Sequence, residues 1–284
     1  MVCAASSFFV AVRGKEQILP QKSSPAQTRH NPVGDLRVMR YRANDNATLR
    51  LFCFPFAGGG VAAFRTWADE LPEFVDVCSV ELPGRDRLIL EPPIESLALL
   101  LERLVGAVSH WIDLPYVMFG HSMGALLAFE LVRRLTSAGK RPPTVLFVSA
   151  HRAPHLPDTR EMIHDLPRAK FIAALRELEG TPPDVLNNKE LIDIYLPALK
   201  ADFTLAETYT YTPGHPLDCP ILAFGGRDDF QVTEAEIAAW REQTTGDFQL
   251  RMLKGNHFFL QSSAKLLLYE IARELEKLRD RLNR

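Results

Sequence analysis

A serine placed between two glycines is the feature of this sequence with the clearest chemistry. The segment Gly120-His-Ser-Met-Gly124 follows a short apolar run that begins at Tyr116, and a helical apolar pattern follows it at once. A serine on such a tight turn between strand and helix exposes its hydroxyl, and the glycines leave room where Cβ atoms would collide. We predict that Ser122 is a nucleophile. The alternative is an ordinary strand-to-helix turn that carries two glycines and a serine.

A serine hydroxyl needs a base within hydrogen-bond reach, and that base is normally a histidine oriented by a carboxylate. In hydrolases with this kind of turn, an acid and then the histidine follow the serine along the chain, each after a strand. Among the eight histidines, only His257 lies just after the last predicted strand. His121 adjoins the serine within the turn and does not approach the hydroxyl from the opposite side. We therefore predict His257 as the base.

Two neighbouring aspartates follow the preceding predicted strand, in the segment Gly225-Gly-Arg-Asp-Asp229. Hydrolases of this kind usually read G-x-x-D-x-x-V here, and Val232 favours Asp229 as the acid that orients the histidine. Asp228 is the rival, and its simplest other role is that of a turn residue. Both aspartates are also placed to cap a helix that begins near Thr233.

A glycine-rich loop follows the first confident strand, in Pro55-Phe-Ala-Gly-Gly-Gly-Val61. A phosphate cradle would need G-x-G-x-x-G or a terminal Lys-Ser/Thr pair, and the loop has neither. Upstream of a serine turn, such a loop is typical of one arm of an oxyanion hole. We predict the backbone N–H groups of Ala57 and Met123 as the two donors. The alternative is a loop that only reverses the chain.

The elements that must position these residues alternate between strand and helix. Apolar runs predict strands over 49–54, 75–82, the run from 116, 144–150, 220–225 and 248–253. Helical patterns occupy 62–71, 94–112, 126–134, 233–243 and 262–282. This alternation is the signature of an α/β fold with a mostly parallel, doubly wound sheet covered on both faces.

The alternation stops over residues 151–211, a segment that we call the insertion. It contains helical patches at 169–178 and 189–206, and its prolines predict a division into short helices. Its place after the strand that follows the serine turn predicts a lid over the site. The apolar residues Phe171, Leu175, Leu199 and Phe203 either line an acyl channel or form the core of the insertion itself. Residues 1–45 lack periodicity and predict a disordered or irregular extension, so the domain spans 46–284.

Composition excludes several other classes of protein. The chain has 284 residues and a net charge of −2, and no run rich in lysine or arginine favours a nucleic-acid partner. No apolar run has the length of a membrane span, and residues 1–12 lack the basic start of a signal peptide. The dispersed cysteines predict free thiols in the reducing cytoplasm; they are Cys3, Cys53, Cys78 and Cys219. No metal-ligand spacing is present, and we expect no cofactor.

Several of these segments together resemble the type II thioesterases, which are stand-alone α/β-hydrolases. The specific ones are Phe54-Pro-Phe-Ala-Gly-Gly59, Leu82-Pro-Gly-Arg85 and Leu196-Pro-Ala-Leu-Lys-Ala-Asp-Phe203, with Gly255-Asn-His-Phe-Phe259 in support. The resemblance runs from about 49 to 280. Many members have His or Tyr at the position of Phe56, a difference that removes no reacting atom.

The resemblance implies an enzyme that hydrolyses acyl thioesters on the phosphopantetheine arm of carrier proteins. Members serve polyketide synthases, nonribosomal peptide synthetases and fatty acid synthase, where they clear stalled arms or release chains. The implied site is the triad Ser122, His257 and Asp229, with oxyanion donors at Ala57 and Met123. A carboxylesterase or lipase on the same fold is the nearest alternative. A hydrolase fold that has lost activity and serves as a binding module is the alternative from another class.

Overall fold

The computed structural model describes residues 36–282, and within this range seven strands form one sheet. In chain order the strands are β1 (Arg37–Arg40), β2 (Leu49–Phe54), β3 (Val75–Glu81), β4 (Tyr116–His121), β5 (Leu146–Ser149), β6 (Ile221–Gly226) and β7 (Phe248–Leu253). Their order in the sheet is β1-β3-β2-β4-β5-β6-β7. Only the β1–β3 pair is antiparallel among these described strands. The predicted α/β class with a mostly parallel sheet is confirmed.

Helices connect the parallel strands, and two more helices follow β7. They are α1 (Trp67–Glu70), α2 (Leu97–Ser109), α3 (Met123–Ser137), α4 (Arg168–Glu177), α5 (Pro183–Asn187), α6 (Lys189–Glu207), α7 (Glu234–Ala238), α8 (Phe259–Ser262) and α9 (Ala264–Leu282). Among residues 36–282, no helix combines the length and the apolar character needed to cross a bilayer.

The sheet is buried on both faces, and the side chains of β2 show how. Leu49, Leu51 and Cys53 face a core layer that includes α9, whereas Phe52 and Phe54 face a second layer that includes α2 and α3. Successive side chains of a strand point to opposite faces, so both sets must be apolar when helices cover both faces. The continuous apolar runs of the sequence therefore reflect a doubly wound sheet.

The segment predicted as one helix over 62–71 is instead a 3-10 turn, Val61–Phe64, followed by the single turn of α1. Phe64 and Trp67 stand three residues apart, and both rings pack edge-on against Phe119. Phe64 ends the 3-10 turn and Trp67 begins α1, and residues 65–66 between them belong to neither element.

The prediction of an irregular extension over residues 1–45 is wrong for its last part. Arg37–Arg40 forms the edge strand β1, which pairs with β3, and Leu36 before it is buried. Four residues with arginine at both ends carry too little apolar pattern to indicate a strand, and the pairing is made by a partner far along the chain. The rest of the predicted extension, residues 1–35, lies outside the described residues.

The insertion between β5 and β6 contains α4, α5 and α6 and has a small apolar core of its own. Its prolines divide it only in part as predicted, because Pro167 and Pro182 stand immediately before α4 and α5, whereas Pro197 lies inside the continuous helix α6. Proline removes one backbone hydrogen bond from a helix interior. The neighbours Leu196, Ala198 and Leu199 are buried, and their packing holds the helix through that position.

Candidate active site

Ser122 stands at the turn between β4 and α3, in a left-handed backbone conformation with φ 53° and ψ −122°. Such a conformation is costly for any residue with a Cβ and persists only where the surroundings impose it. The two glycines of the turn show how tight the surroundings are. A Cβ on Gly120 would overlap the carbonyl oxygen of Gly124, and one on Gly124 would overlap that of Phe54. The structure therefore has the strained turn that the sequence predicted.

The structure brings the three predicted triad residues together. His257 Nε2 lies 3.0 Å from Ser122 Oγ, and His257 Nδ1 lies 2.9 Å from Asp229 Oδ2. The side chains of His257 and Asp229 are buried, at 4% and 0% exposure. Asp228 points elsewhere, and its carboxylate accepts from the Gly255 N–H at 3.3 Å. Of the two aspartates, it is therefore Asp229 that contacts His257.

The carboxylate of Asp229 is oriented by the turn that follows β6. Its Oδ1 accepts from the backbone N–H groups of Gln231 at 2.8 Å and Val232 at 3.2 Å, which leaves Oδ2 for His257. An ionised carboxylate only accepts, so His257 Nδ1 carries the proton and Nε2 presents its lone pair to the Ser122 hydroxyl. This is the tautomer that a general base requires.

His121 has a place in the site that was not predicted from the sequence. Its Nδ1 lies 2.9 Å from Ser149 Oγ, and its Nε2 lies 3.0 Å from the backbone carbonyl of His257. Complete burial, with a smaller contribution from nearby His257, lowers the pKa of His121 well below its ordinary value. The ring is therefore neutral, donates from Nε2 to the His257 carbonyl and accepts from the Ser149 hydroxyl. Its position within the serine turn is the one signal that pointed to it.

The predicted oxyanion donors lie beside the serine. Met123 is the first residue of α3, where backbone N–H groups have no partner within the helix and the helix dipole favours negative charge. Ala57 begins the segment 57–61, which we call the glycine loop, and Gly58 adopts a positive φ of 74°. Ala57 and Met123 both line the same pocket as Ser122. Their role as donors stays a prediction.

A cavity of about 310 Å³, which we call the serine pocket, opens above Ser122 beneath the insertion. Leu175, Leu199 and Phe203 line it, and the same residues belong to the apolar core of the insertion or pack against it, so both roles predicted for them apply. Phe171 was predicted with these three, but it is fully buried in the apolar core of the insertion. Phe171 and Leu175 are four residues apart on the same face of α4, and of the two Leu175 reaches the pocket.

The serine pocket also has charged residues along one side. Arg160 donates to Asp158 at 2.7 Å, and Arg152 lies 2.9 Å from the same carboxylate. Two guanidinium groups thus share one carboxylate, and Glu207 and Glu236 also line the pocket, so its polar side carries charges of both signs. The apolar residues opposite them suit the hydrocarbon part of a ligand.

A parallel sheet with a strained serine after β4, a histidine after β7 and an aspartate after β6 defines an α/β-hydrolase. The family model of the thioesterase domain matches residues 49–278. The chain belongs to the thioesterase family.

Comparisons with individual proteins identify the group within the family that this chain resembles. The chain is 42% identical to the gramicidin S biosynthesis protein GrsT of Aneurinibacillus migulanus, over 82% of this chain and 91% of that protein. It is similar to the solved structure of the type II thioesterase BorB from the borrelidin biosynthetic cluster, with a TM-score of 0.78, 39% identity, and coverage of 86% and 100%. The type II thioesterase YbtT from the yersiniabactin NRPS/PKS pathway matches with a TM-score of 0.73, 34% identity, and coverage of 83% and 96%. The resemblance to type II thioesterases is confirmed.

Proposed function

We propose that this thioesterase removes acyl groups from the phosphopantetheine arm of carrier proteins in a nonribosomal peptide or polyketide pathway. It would clear stalled or wrongly loaded arms, or release a chain. The contact of His257 with both Ser122 and Asp229 carries the proposal, because it supplies an activated nucleophile at the base of a pocket. The relatives named above supply the pathway class.

The proposed reaction begins with attack of Ser122 Oγ on the thioester carbonyl carbon. His257 Nε2 takes the hydroxyl proton, and the Asp229 carboxylate stabilises the imidazolium that forms. The new C–O bond moves an electron pair onto the carbonyl oxygen, where the N–H groups of Ala57 and Met123 would stabilise it. One such donor typically contributes on the order of 3 kcal/mol to the transition state.

Collapse of the tetrahedral intermediate expels the phosphopantetheine thiolate, which takes the proton from His257. The acyl group is then an ester on Ser122. His257, neutral again, accepts a proton from water as the water oxygen attacks the ester carbonyl. The second intermediate releases the carboxylic acid and returns a proton from His257 to Ser122 Oγ.

We also propose that the insertion, residues 151–211, acts as a lid that admits the arm and encloses the acyl group. Leu199 and Phe203 of α6 line the serine pocket, and Met162 and Phe230 line it while more than half exposed to solvent. The buried free thiols of Cys53, Cys78 and Cys219 suit the reducing cytoplasm that we propose as its compartment.

The test compares one acyl group on two carriers. Intact mass spectrometry follows deacylation of a carrier protein, and kcat/KM is measured beside that for the same acyl group on N-acetylcysteamine. We expect kcat/KM to be at least about tenfold higher for the carrier protein, since contacts away from the reacting bond position the arm. Ser122→Ala is the control for catalysis by this site.

Equal kcat/KM values for the two thioesters would remove carrier recognition from the proposal and leave a general thioesterase. Faster hydrolysis of a p-nitrophenyl ester than of either thioester would instead favour the carboxylesterase alternative.

A further inference from the structure

The glycine loop is held in place from the turn 83–86, which packs beneath it. Arg85 donates from Nη1 to the Gly59 carbonyl at 3.0 Å and from Nε to the Pro83 carbonyl at 3.3 Å. Asp86 accepts from the Val61 N–H at 2.9 Å. The middle of the glycine loop, at Gly59, and its end, at Val61, are therefore tied to one turn of the chain.

Asp202 of helix α6 holds the same loop from the opposite side. Its Oδ2 accepts from the Gly58 N–H at 2.7 Å and from Arg85 Nη1 at 2.6 Å, and its Oδ1 accepts from Arg85 Nη2 at 2.7 Å. The side chains of Arg85 and Asp202 are 5% and 3% exposed. The Gly58 N–H belongs to the peptide that follows Ala57, so this hydrogen bond orients the backbone beside the proposed oxyanion donor.

Helix α6 is also a wall of the serine pocket. Leu199 and Phe203 line that pocket, and they flank Asp202 on the same helix. A Cβ on Gly58 would overlap the Leu199 side chain, which shows that α6 packs directly on the glycine loop. One rigid helix thus contacts the ligand space and the loop together.

A buried ion pair is weak support for stability, because removal of two charges from water offsets most of their attraction. Apolar residues of similar volume would fasten α6 to the sheet at least as well. The planar guanidinium group of Arg85 and the two carboxylate oxygens of Asp202 instead make hydrogen bonds of fixed direction. Their distinctive contribution is the geometry of the loop.

We propose that Arg85 and Asp202 are positioning residues, which hold the Ala57 N–H at the oxyanion site and make its place depend on helix α6. An acyl group that seats α6 correctly would then complete the oxyanion hole, and a poorly seated one would not. The inference rests on the proposed function, because it requires Ala57 to be an oxyanion donor.

The test uses Asp202→Asn and Arg85→Lys with two probes of the same chain length. An acyl thioether has no carbonyl and reports binding in the serine pocket. Ser122 Oγ adds to the carbonyl carbon of a trifluoromethyl ketone analogue, the Ser122 hydroxyl proton passes to His257, and the carbonyl oxygen becomes an oxyanion in the hole. We expect each substitution to lower both kcat and the affinity for the ketone by about 10- to 100-fold. KM and the affinity for the thioether should stay within about twofold of the wild-type values.

The matched control is Asp76→Asn at another buried ion pair, which Asp76 makes with Arg50. That pair joins β2 and β3 near the opposite ends of the strands from Ser122. We expect this substitution to lower the melting temperature of the protein. Measured about 20 °C below the melting temperature of the variant, kcat and ketone affinity should stay within about twofold of the wild-type values. A general loss of packing is thereby separated from a loss of oxyanion geometry.

The proposal is overturned if both substitutions leave ketone affinity within about twofold of wild type, or if thioether affinity falls as far as ketone affinity. If Asp202→Asn fails to fold, Arg85→Lys alone tests the proposal, because lysine keeps the positive charge and removes the planar guanidinium group. Failure of the proposed function looks different. In that case the wild-type protein does not deacylate the carrier, or Ser122→Ala retains its activity.

Discussion

At the residue scale, Ser122 combines a left-handed backbone with a hydroxyl 3.0 Å from His257 Nε2. Ser122→Ala removes the hydroxyl and keeps the Cβ that the turn already accommodates. We expect kcat to fall by about 10³-fold or more while the melting temperature changes little. Steady-state turnover of an acyl carrier protein, with thermal unfolding on the same samples, checks both parts. Turnover near the wild-type rate would mean that another group is the nucleophile.

The two neighbouring aspartates give a second prediction at this scale. Asp229 contacts His257, whereas Asp228 accepts from the backbone of Gly255. An amide at position 229 would favour the wrong imidazole tautomer, so Asp229→Asn should lower kcat by about 10³- to 10⁴-fold. Asp228→Asn is the matched control and should retain kcat within about tenfold. The assignment is wrong if the order of the two effects is reversed.

At the scale of elements, the turn from β4 into α3 depends on glycines that leave no space for a side chain. A Cβ on Gly124 would overlap the Phe54 carbonyl, so Gly124→Ala forces the backbone of β2 or α3 to move. We expect a loss of roughly 1–3 kcal/mol in the free energy of unfolding. Because the shift displaces Ser122, kcat should also fall by about 10²-fold. Urea unfolding and steady-state kinetics measure the two effects.

The control for that substitution is Gly106→Ala in α2, where an added Cβ meets open space. Alanine is the better helix former by about 1 kcal/mol, so this protein should be slightly more stable and fully active. If both alanine variants behaved alike, close packing would not be the reason for glycine in the serine turn.

At the scale of the whole molecule, buried histidines make stability depend on pH. Burial, with a smaller contribution from nearby Arg152, lowers the pKa of His151 from 6.5 to about 3. Between these values the unfolded chain binds a proton at this position and the folded chain does not. The free energy of unfolding therefore falls as the pH is lowered from about 6.5 toward 3, by up to about 1.4 kcal/mol per pH unit.

His151→Asn isolates this contribution, because the amide keeps a donor for the Arg152 carbonyl that His151 Nδ1 now contacts at 2.6 Å. Urea unfolding at pH 7.5, 6.5 and 5.5 should show a shallower loss of stability in the variant, whatever its stability at pH 7.5. Parallel pH profiles for the two proteins would contradict the assignment of a depressed pKa to His151.

The local pattern of residues in the sequence was enough to predict the parallel sheet, the serine turn and the order of the triad residues. Apolar runs separated by helical periods predicted the parallel sheet, since every central strand is buried on both faces. The glycines around Ser122 predicted the strained turn, because only a close approach of backbones requires them. The order of Ser122, Asp229 and His257 along the chain followed from that turn, and the structure places the three in contact.

Only the tertiary structure decided what depends on contacts between distant segments. Strand β1 exists because β3 pairs with it. A segment of four residues is too short for its hydrophobic pattern to predict that pairing. His121 holds the backbone of His257 across 136 positions in the chain. The sequence placed Arg85 in a segment typical of type II thioesterases but did not indicate its partner. The fold buries Arg85 against Asp202, 117 positions away, and leaves Arg87 exposed, because burial is set by the helix that packs above the turn.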